Sequence, residues 1–159
     1  VGPDAQVQEG TAKIYDLQHP EAKMSKSADS EAGLLKVLDD PSVNKKKIMR
    51  AVTDADGEIR FDREAKPGVS NLLTTFAVLT GRTVESIERE FEGRGYGDLK
   101  KALVEVVNET FEPIRARTNE LLADPAELDR LLAGAADRAN EVASRTLATV
   151  YERMGLLSR

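Results

Sequence analysis

The feature that most constrains the fold lies near the C-terminal end. Leu128, Leu131, Leu132, Ala135, Ala139, Val142, Ala143, Leu147, Val150 and Met154 recur at three- and four-residue steps, the spacing of one face of an α-helix. Asp124, Pro125 and Glu127 give this helix a capping-box start with Asp in the Ser/Thr place, and Gly155 gives it a stop. The alanines on the stripe predict close helix–helix approach, so the spacing predicts an α-helical bundle over residues 40–159.

The segments upstream carry the same signature in shorter pieces. Asp40-Pro41 reads as an N-cap followed by proline at the first helical position, with a helix continuing through VNKKKIMRAV. Residues 53–68 are charged and turn-rich and read as a structured loop. VSNLLTTFAVLTG, residues 69–81, reads as a buried helix closed by Gly81, and residues 83–93 as a shorter amphipathic helix through Val84, Ile87 and Phe91. After the GRGYG turn comes a long helix bearing Leu99, Leu103, Val106, Val107 and Thr110, which Pro113 is expected to kink or divide. Before Asp40 the reading is different. Residues 1–10 look flexible, TAKIYDLQ at 11–18 looks extended, and GLLKVLD at 33–39 fits either a buried strand or a helical turn. The expected class is mainly α, a helical bundle preceded by a short extended segment and a polar loop.

Bulk chemistry narrows the function classes. The 159 residues hold no cysteine, so disulfides, thiolate catalysis and cysteine-held metals are excluded. No apolar run approaches the roughly 20 residues of a membrane span. The formal charge of −5 and the 4% aromatic content argue against coating nucleic acid by bulk charge or stacking. Any nucleic-acid contact must come from a local basic patch. KKKIMR is such a patch, and Lys45, Lys46, Lys47 and Arg50 are the candidates for phosphate contact, with a solvated helix face as the preferred alternative. Arg115 and Arg117 carry the same two readings.

Other candidates are weaker. In TDADGEI, placing Gly57 at the sharp-turn position of a calcium loop puts Val52 and Arg63 where Asp and Glu ligands belong, so a polar turn is preferred. EGRGYG follows a helix rather than a strand and matches no phosphate-binding glycine pattern. His19, the sole histidine, supplies neither a metal site nor a triad and reads as a surface residue. No resident metal site is expected.

The most informative stretch is Lys23-Met24-Ser25-Lys26-Ser27, set just after His19-Pro20. A solvated loop is the plain reading. The functional one is a mobile phosphate-binding loop: ammoniums bring movable positive charge, hydroxyls donate to phosphate oxygens, and Met24 can lie on a flat apolar base. Such groups matter most where charge builds on a leaving pyrophosphate.

These five letters are the KMSKS signature, and the chain resembles bacterial tryptophanyl-tRNA synthetases, class I aminoacyl-tRNA synthetases. IYDLQHPEAKMSKS, AVTDADGEIRFD, KPGVSNLLTTFAVLTG, FEGRGYGDLK and LAGAADRANEVASRTLATVYERMGL all match in order, from about Thr11 onward. The signature is followed here by Ala28-Asp29, where the family often has Asp and then Pro or Asn.

The resemblance implies a ligase of translation that activates tryptophan with Mg-ATP and passes it to tRNA(Trp), in the cytoplasm. It implies that Lys26 and Lys23 grip the ATP phosphates and stabilise departing pyrophosphate as the catalytic lysines. Ser25 and Ser27 would support the loop, Met24 would pack by the adenine, and Ile14 would line the adenine site. ATP with Mg2+ enters as substrate. Residues 1–39 would be the end of the catalytic domain and residues 40–159 the helical anticodon-side domain. The nucleotide-binding fold, with its HIGH-like motif and most of the tryptophan pocket, is absent from the sequence. The chain is therefore expected to be the C-terminal portion of a homodimeric enzyme, inactive and monomeric without its N-terminal half, with the loop at residues 21–30 mobile. The alternative is a non-catalytic helical module that binds tRNA or protein.

Overall fold

The computed structural model describes residues 13–27 and 30–156. The expectations for residues 1–10, and for Thr11, Ala12, Ala28 and Asp29, lie outside the described residues. Among the described residues the elements are α1 (Pro41–Met49), α2 (Pro67–Thr80), α3 (Val84–Glu90), α4 (Tyr96–Ala123) and α5 (Pro125–Met154), with one isolated antiparallel bridge between Tyr15 and Lys23. The mainly α class is as the sequence predicts. The chain divides into two compact units, residues 1–115 and 116–159.

In the first unit, Leu17, Ile48, Val69, Leu72, Leu73, Phe76, Ile87, Phe91, Leu99, Leu103 and Val107 share one apolar core. Helix α2 is its centre, buried from Gly68 through Phe76. It starts at Pro67, two residues before the predicted start, and stops at Gly81, whose φ of 67° is the left-handed conformation that glycine adopts without strain. Gly68 lies so close to the preceding loop that a Cβ there would sit 2.1 Å from the Val52 carbonyl oxygen. Phe76 meets Phe91 edge to face at 6.1 Å.

Helix α1 is capped as expected, with Asp40 accepting from the Ser42 N–H at 2.8 Å, but it ends at Met49 rather than Val52. The reason is a competing bond: the Val52 N–H donates to the Leu17 carbonyl at 2.8 Å and draws the chain out of the helix. Buried Lys100 closes the same corner, donating to the Ala51 carbonyl at 2.8 Å. Its pKa is pushed down by burial.

Residues 33–39 are neither strand nor helix. Side chains take the carbonyls a ladder or helix would use. Asn44 donates to Lys36 O at 2.8 Å, Lys47 to Leu34 O at 2.8 Å, and Arg115 to Asp39 O at 3.0 Å. A backbone satisfied this way has no need of regular structure.

Pro113 does not divide α4, which runs unbroken through it. Proline removes a single intrahelical bond, and a helix of 28 residues retains the others. In the second unit, Asp124 accepts from the Glu127 N–H at 3.1 Å and Gly155 closes α5 with φ 67°, as predicted. The burial expected of the alanine stripe is not found. No residue of α5 is buried, and Val142 and Met154 are 65% and 67% exposed. Among the described residues no helix is long and apolar enough to cross a membrane.

Candidate functional site: a two-lysine loop on a clamped arm

The chain from Ile14 to Met24 doubles back on itself as a short arm. The Met24 N–H donates to Ile14 O at 3.0 Å, and the Asp16 N–H to Ala22 O at 2.9 Å, on either side of the Tyr15–Lys23 bridge. Asp16 makes the turn. Its carboxylate accepts from the N–H groups of Gln18 at 2.7 Å and His19 at 3.0 Å, an Asx-type closure. The turn is tied to Gly33, whose carbonyl accepts from the Leu17 N–H at 3.0 Å. Only glycine fits there, because a Cβ would sit 1.7 Å from the Asp16 Oδ1.

Two side chains hold the arm from the far side. Asn71 on α2, 1% exposed, accepts from the Tyr15 N–H at 2.9 Å and donates to the Tyr15 carbonyl at 2.8 Å. The Arg63 guanidinium lies 3.9 Å from the centre of the Tyr15 ring. No apolar or charge pattern marks Asn71 as functional, and sequence reasoning missed it. Its one signal is a polar amide in the middle of an otherwise buried helix face.

The signature residues lie at the end of this arm. Lys23, Lys26 and Ser27 are exposed, while Met24 and Ser25 are half-buried. Met24 packs partly against the apolar core, and Ile14 contributes its carbonyl to the arm. Ser25 Oγ lies 3.1 Å from Ser27 Oγ and accepts from the Ser27 N–H at 3.3 Å, a local turn that shapes the loop between the two lysines. Among the described residues neither Lys23 nor Lys26 pairs with a carboxylate. A hollow of about 270 Å³ lies beside Lys23, lined also by Asp16, His19 and Ser30, and a second of about 450 Å³ joins Lys26 to Leu34, Leu35 and Leu38. Two ammoniums with no ion-pair partner among the described residues, each beside a hollow, are placed to meet an anion.

The basic cluster on α1 divides. Lys45, Lys46 and Arg50 are exposed. Lys47 turns inward, bonded to Leu34 O and to Asp39 Oδ2 at 2.8 Å each, so it braces the fold. Arg115 is also internal, held by Glu112 and by backbone carbonyls, which corrects both readings made for it. Arg117 is exposed and paired with Glu120 at 2.7 Å. His19 is exposed as expected, 3.7 Å from Glu21.

The would-be calcium loop holds a cation of its own. Lys66, 2% exposed, reaches Asp54 at 3.1 Å, the Tyr96 hydroxyl at 3.1 Å, and Asp56. Burial opposes the Lys66 charge, yet its bonds to Asp56, Tyr96 and Asp54 outweigh that and raise its pKa. Its ammonium, with a Glu58 N–H bond, holds Asp56 well below the usual carboxylate range. Burial, with a bond to Asp54, pushes the Tyr96 hydroxyl up to about 12.

The chain is similar to several known proteins. A family description, tRNA synthetases class I (W and Y), matches residues 4–112. The tryptophan–tRNA ligase of Leifsonia xyli subsp. xyli is 60% identical over 157 residues, covering 99% of this chain and 47% of that protein. The ligase of Mycobacterium leprae is 51% identical over 99% of this chain and 46% of its own length. Among solved structures, tryptophanyl-tRNA synthetase from Mycoplasma pneumoniae superposes with a TM-score of 0.79 at 31% identity, covering 92% of this chain and 46% of that one. The Campylobacter jejuni enzyme complexed with ADP and tryptophan gives 0.66 at 32% identity, covering 97% and 47%. The chain spans about half the length of the curated relatives it matches.

Proposed function

Because the chain belongs to the class I tRNA synthetases (W and Y), we propose that it is the C-terminal part of a tryptophanyl-tRNA synthetase, carrying the loop that handles the phosphates of ATP. The observation that carries this reading is the pair of signature lysines, neither of which pairs with a carboxylate among the described residues, at the end of an arm fastened to a helical core. A carboxylate oxygen of tryptophan attacks the α-phosphorus of Mg-ATP. The new bond gives tryptophanyl-adenylate, and the electron pair of the broken P–O bond leaves with pyrophosphate. Lys26 and Lys23 neutralise that growing charge, worth most in the transition state. Ser25 and Ser27 keep the loop in shape, and Ile14 and Met24 supply the apolar side of the adenine site. The adenylate is then passed to the end of tRNA(Trp).

On this reading residues 1–39 close the catalytic domain and residues 40–159 form the anticodon side. Lys45, Lys46 and Arg50 are the groups of the α1 cluster open to tRNA phosphates. The rest of the ATP site and the tryptophan pocket belong to an N-terminal half, within a cytoplasmic homodimer, and the isolated chain is inactive and monomeric. Tryptophan-dependent ATP–pyrophosphate exchange tests this directly. Silence from the chain alone and exchange once the N-terminal half is added are the expected results. Exchange by the chain alone, or silence from both halves shown to be folded and associated, overturns the proposal; the second outcome favours a binding module.

A further inference from the structure

We infer that Asn71 is the positioning residue of the phosphate loop, acting as a surrogate third strand that sets where Lys23 and Lys26 stand; this rests on the catalytic reading of the loop. The argument begins with the pattern of the bridge. The bonds between the limbs of the arm are Met24 N–H to Ile14 O and Asp16 N–H to Ala22 O, which flank Tyr15 and Lys23. In such an antiparallel pair the N–H and C=O of Tyr15 point away from Lys23, toward the open edge. Those are the two groups Asn71 takes, at 2.9 and 2.8 Å. An amide is the side chain that donates and accepts at once with peptide-like geometry.

Asn71 is also held. It sits mid-helix in α2, on the apolar core, with its own carbonyl accepting from Thr75 Oγ1 at 2.8 Å. The other ties of the arm, Leu17 to Gly33 and Val52 to Leu17, fix its base. Asn71 is the hydrogen-bonding partner of the rung that carries Lys23, and the Arg63 guanidinium meets only the Tyr15 ring. Remove it and the base stays while the lysine-bearing limb moves. Small displacements of a charge-stabilising group are costly in rate, since about 1 Å of misplacement lowers turnover as much as 100-fold.

Two measurements test this. In the 159-residue chain, Asn71→Ala, and the isosteric Asn71→Asp that keeps the acceptor and loses the donor, are compared with Thr75→Ala by amide hydrogen exchange. Loss of protection at Met24 and Asp16 by about tenfold or more in an Asn71 variant, but not in Thr75→Ala, is expected. Unchanged protection at both amides overturns the inference whatever the activity. With the N-terminal half present, pyrophosphate exchange by the Asn71 variants should fall about tenfold or more in kcat with the KM for tryptophan within about twofold. An unchanged kcat, or an equal loss in Thr75→Ala, overturns it. Silence of the unsubstituted protein instead sinks the functional reading, and leaves the exchange measurement of the clamp standing.

Discussion

The arm at residues 14–24 and the helical core beneath it are held by different forces. The core is apolar contact: Leu72, Leu73, Leu99 and Leu103 are buried with no polar group to satisfy. The arm is hydrogen bonding. Apart from Leu17, which is buried in the core, and Met24, which packs partly against it, its fastenings are polar: Asn71 to Tyr15, Arg63 on the Tyr15 ring, Asp16 to its own turn, and Gly33 to Leu17. Apolar burial is non-directional and strong in sum, so it makes a platform. Hydrogen bonds contribute modestly each but fix direction, so they aim what stands on the platform. The loop can therefore be disabled without harm to the fold, whereas a core change harms both.

The largest effect should come from the platform. Leu72→Ala empties a fully buried site and is expected to destabilise the first unit by about 2–5 kcal/mol, read as a lower denaturant midpoint. Lys26→Ala is the opposite case. The side chain is exposed, so stability should stay within about 0.5 kcal/mol. Pyrophosphate exchange in the two-half enzyme should drop by about 100-fold, on the order of 2.7 kcal/mol of transition-state stabilisation. A Lys26→Ala protein that loses tRNA affinity but keeps exchange would break the comparison and move the loop to a binding role.

Much of the platform was legible in the sequence and little of the arm. Apolar periodicity and caps give α2, α3 and α5 to within about three residues at each end, because those signals are local. The errors fall where a distant partner overrides a local preference. Val52 leaves α1 for Leu17, residues 33–39 give their carbonyls to Asn44, Lys47 and Arg115, and three long cationic side chains, Lys47, Lys66 and Arg115, are internal where the composition of their neighbourhoods suggests solvent. The α5 stripe shows the converse: its period is right for a helix, and period alone does not say what covers it. At the site, the lysines and serines are visible as a motif, while Asn71, Asp16 and Gly33 show no role in the sequence: the bonds of Asn71 and Gly33 form only when distant segments meet, and Asp16 closes its turn on backbone N–H groups.

A third experiment sharpens the contrast through pH. The Lys66–Asp54–Asp56–Tyr96 network is polar like the arm, yet it is built into the platform. The folded-state pKa values of Tyr96 and Lys66 both lie above the unfolded ones. The network's contribution is therefore whole below pH 10 and declines as pH climbs from 10 toward 12, where the unfolded chain gives up these protons first. Urea melts at pH 8, 10 and 11 should show a steeper alkaline loss for the natural protein than for Tyr96→Phe. Tyr96→Phe should also start from a lower midpoint at pH 8, since it leaves Asp54 without that donor. Parallel profiles would mean that the hydroxyl titrates as it does in the unfolded chain.

The smallest effects separate two lysines two positions apart on one helix. Lys45 is exposed, while Lys47 is bonded to Leu34 O and Asp39. Lys47→Ala leaves a carbonyl and a carboxylate without their partner and should lower stability by about 1 kcal/mol, with tRNA affinity unchanged. Lys45→Ala should do the reverse. Stability should hold within about 0.5 kcal/mol, and if Lys45 meets a tRNA phosphate, affinity falls a few-fold with the slope of log affinity against log salt reduced by about 1. The salt slope decides between the readings, because a lysine that merely faces solvent releases no counterion on binding. An unchanged slope in Lys45→Ala, and again in Lys46→Ala and Arg50→Ala, would leave the whole outer face of α1 as solvated surface and overturn the tRNA contact proposed for it.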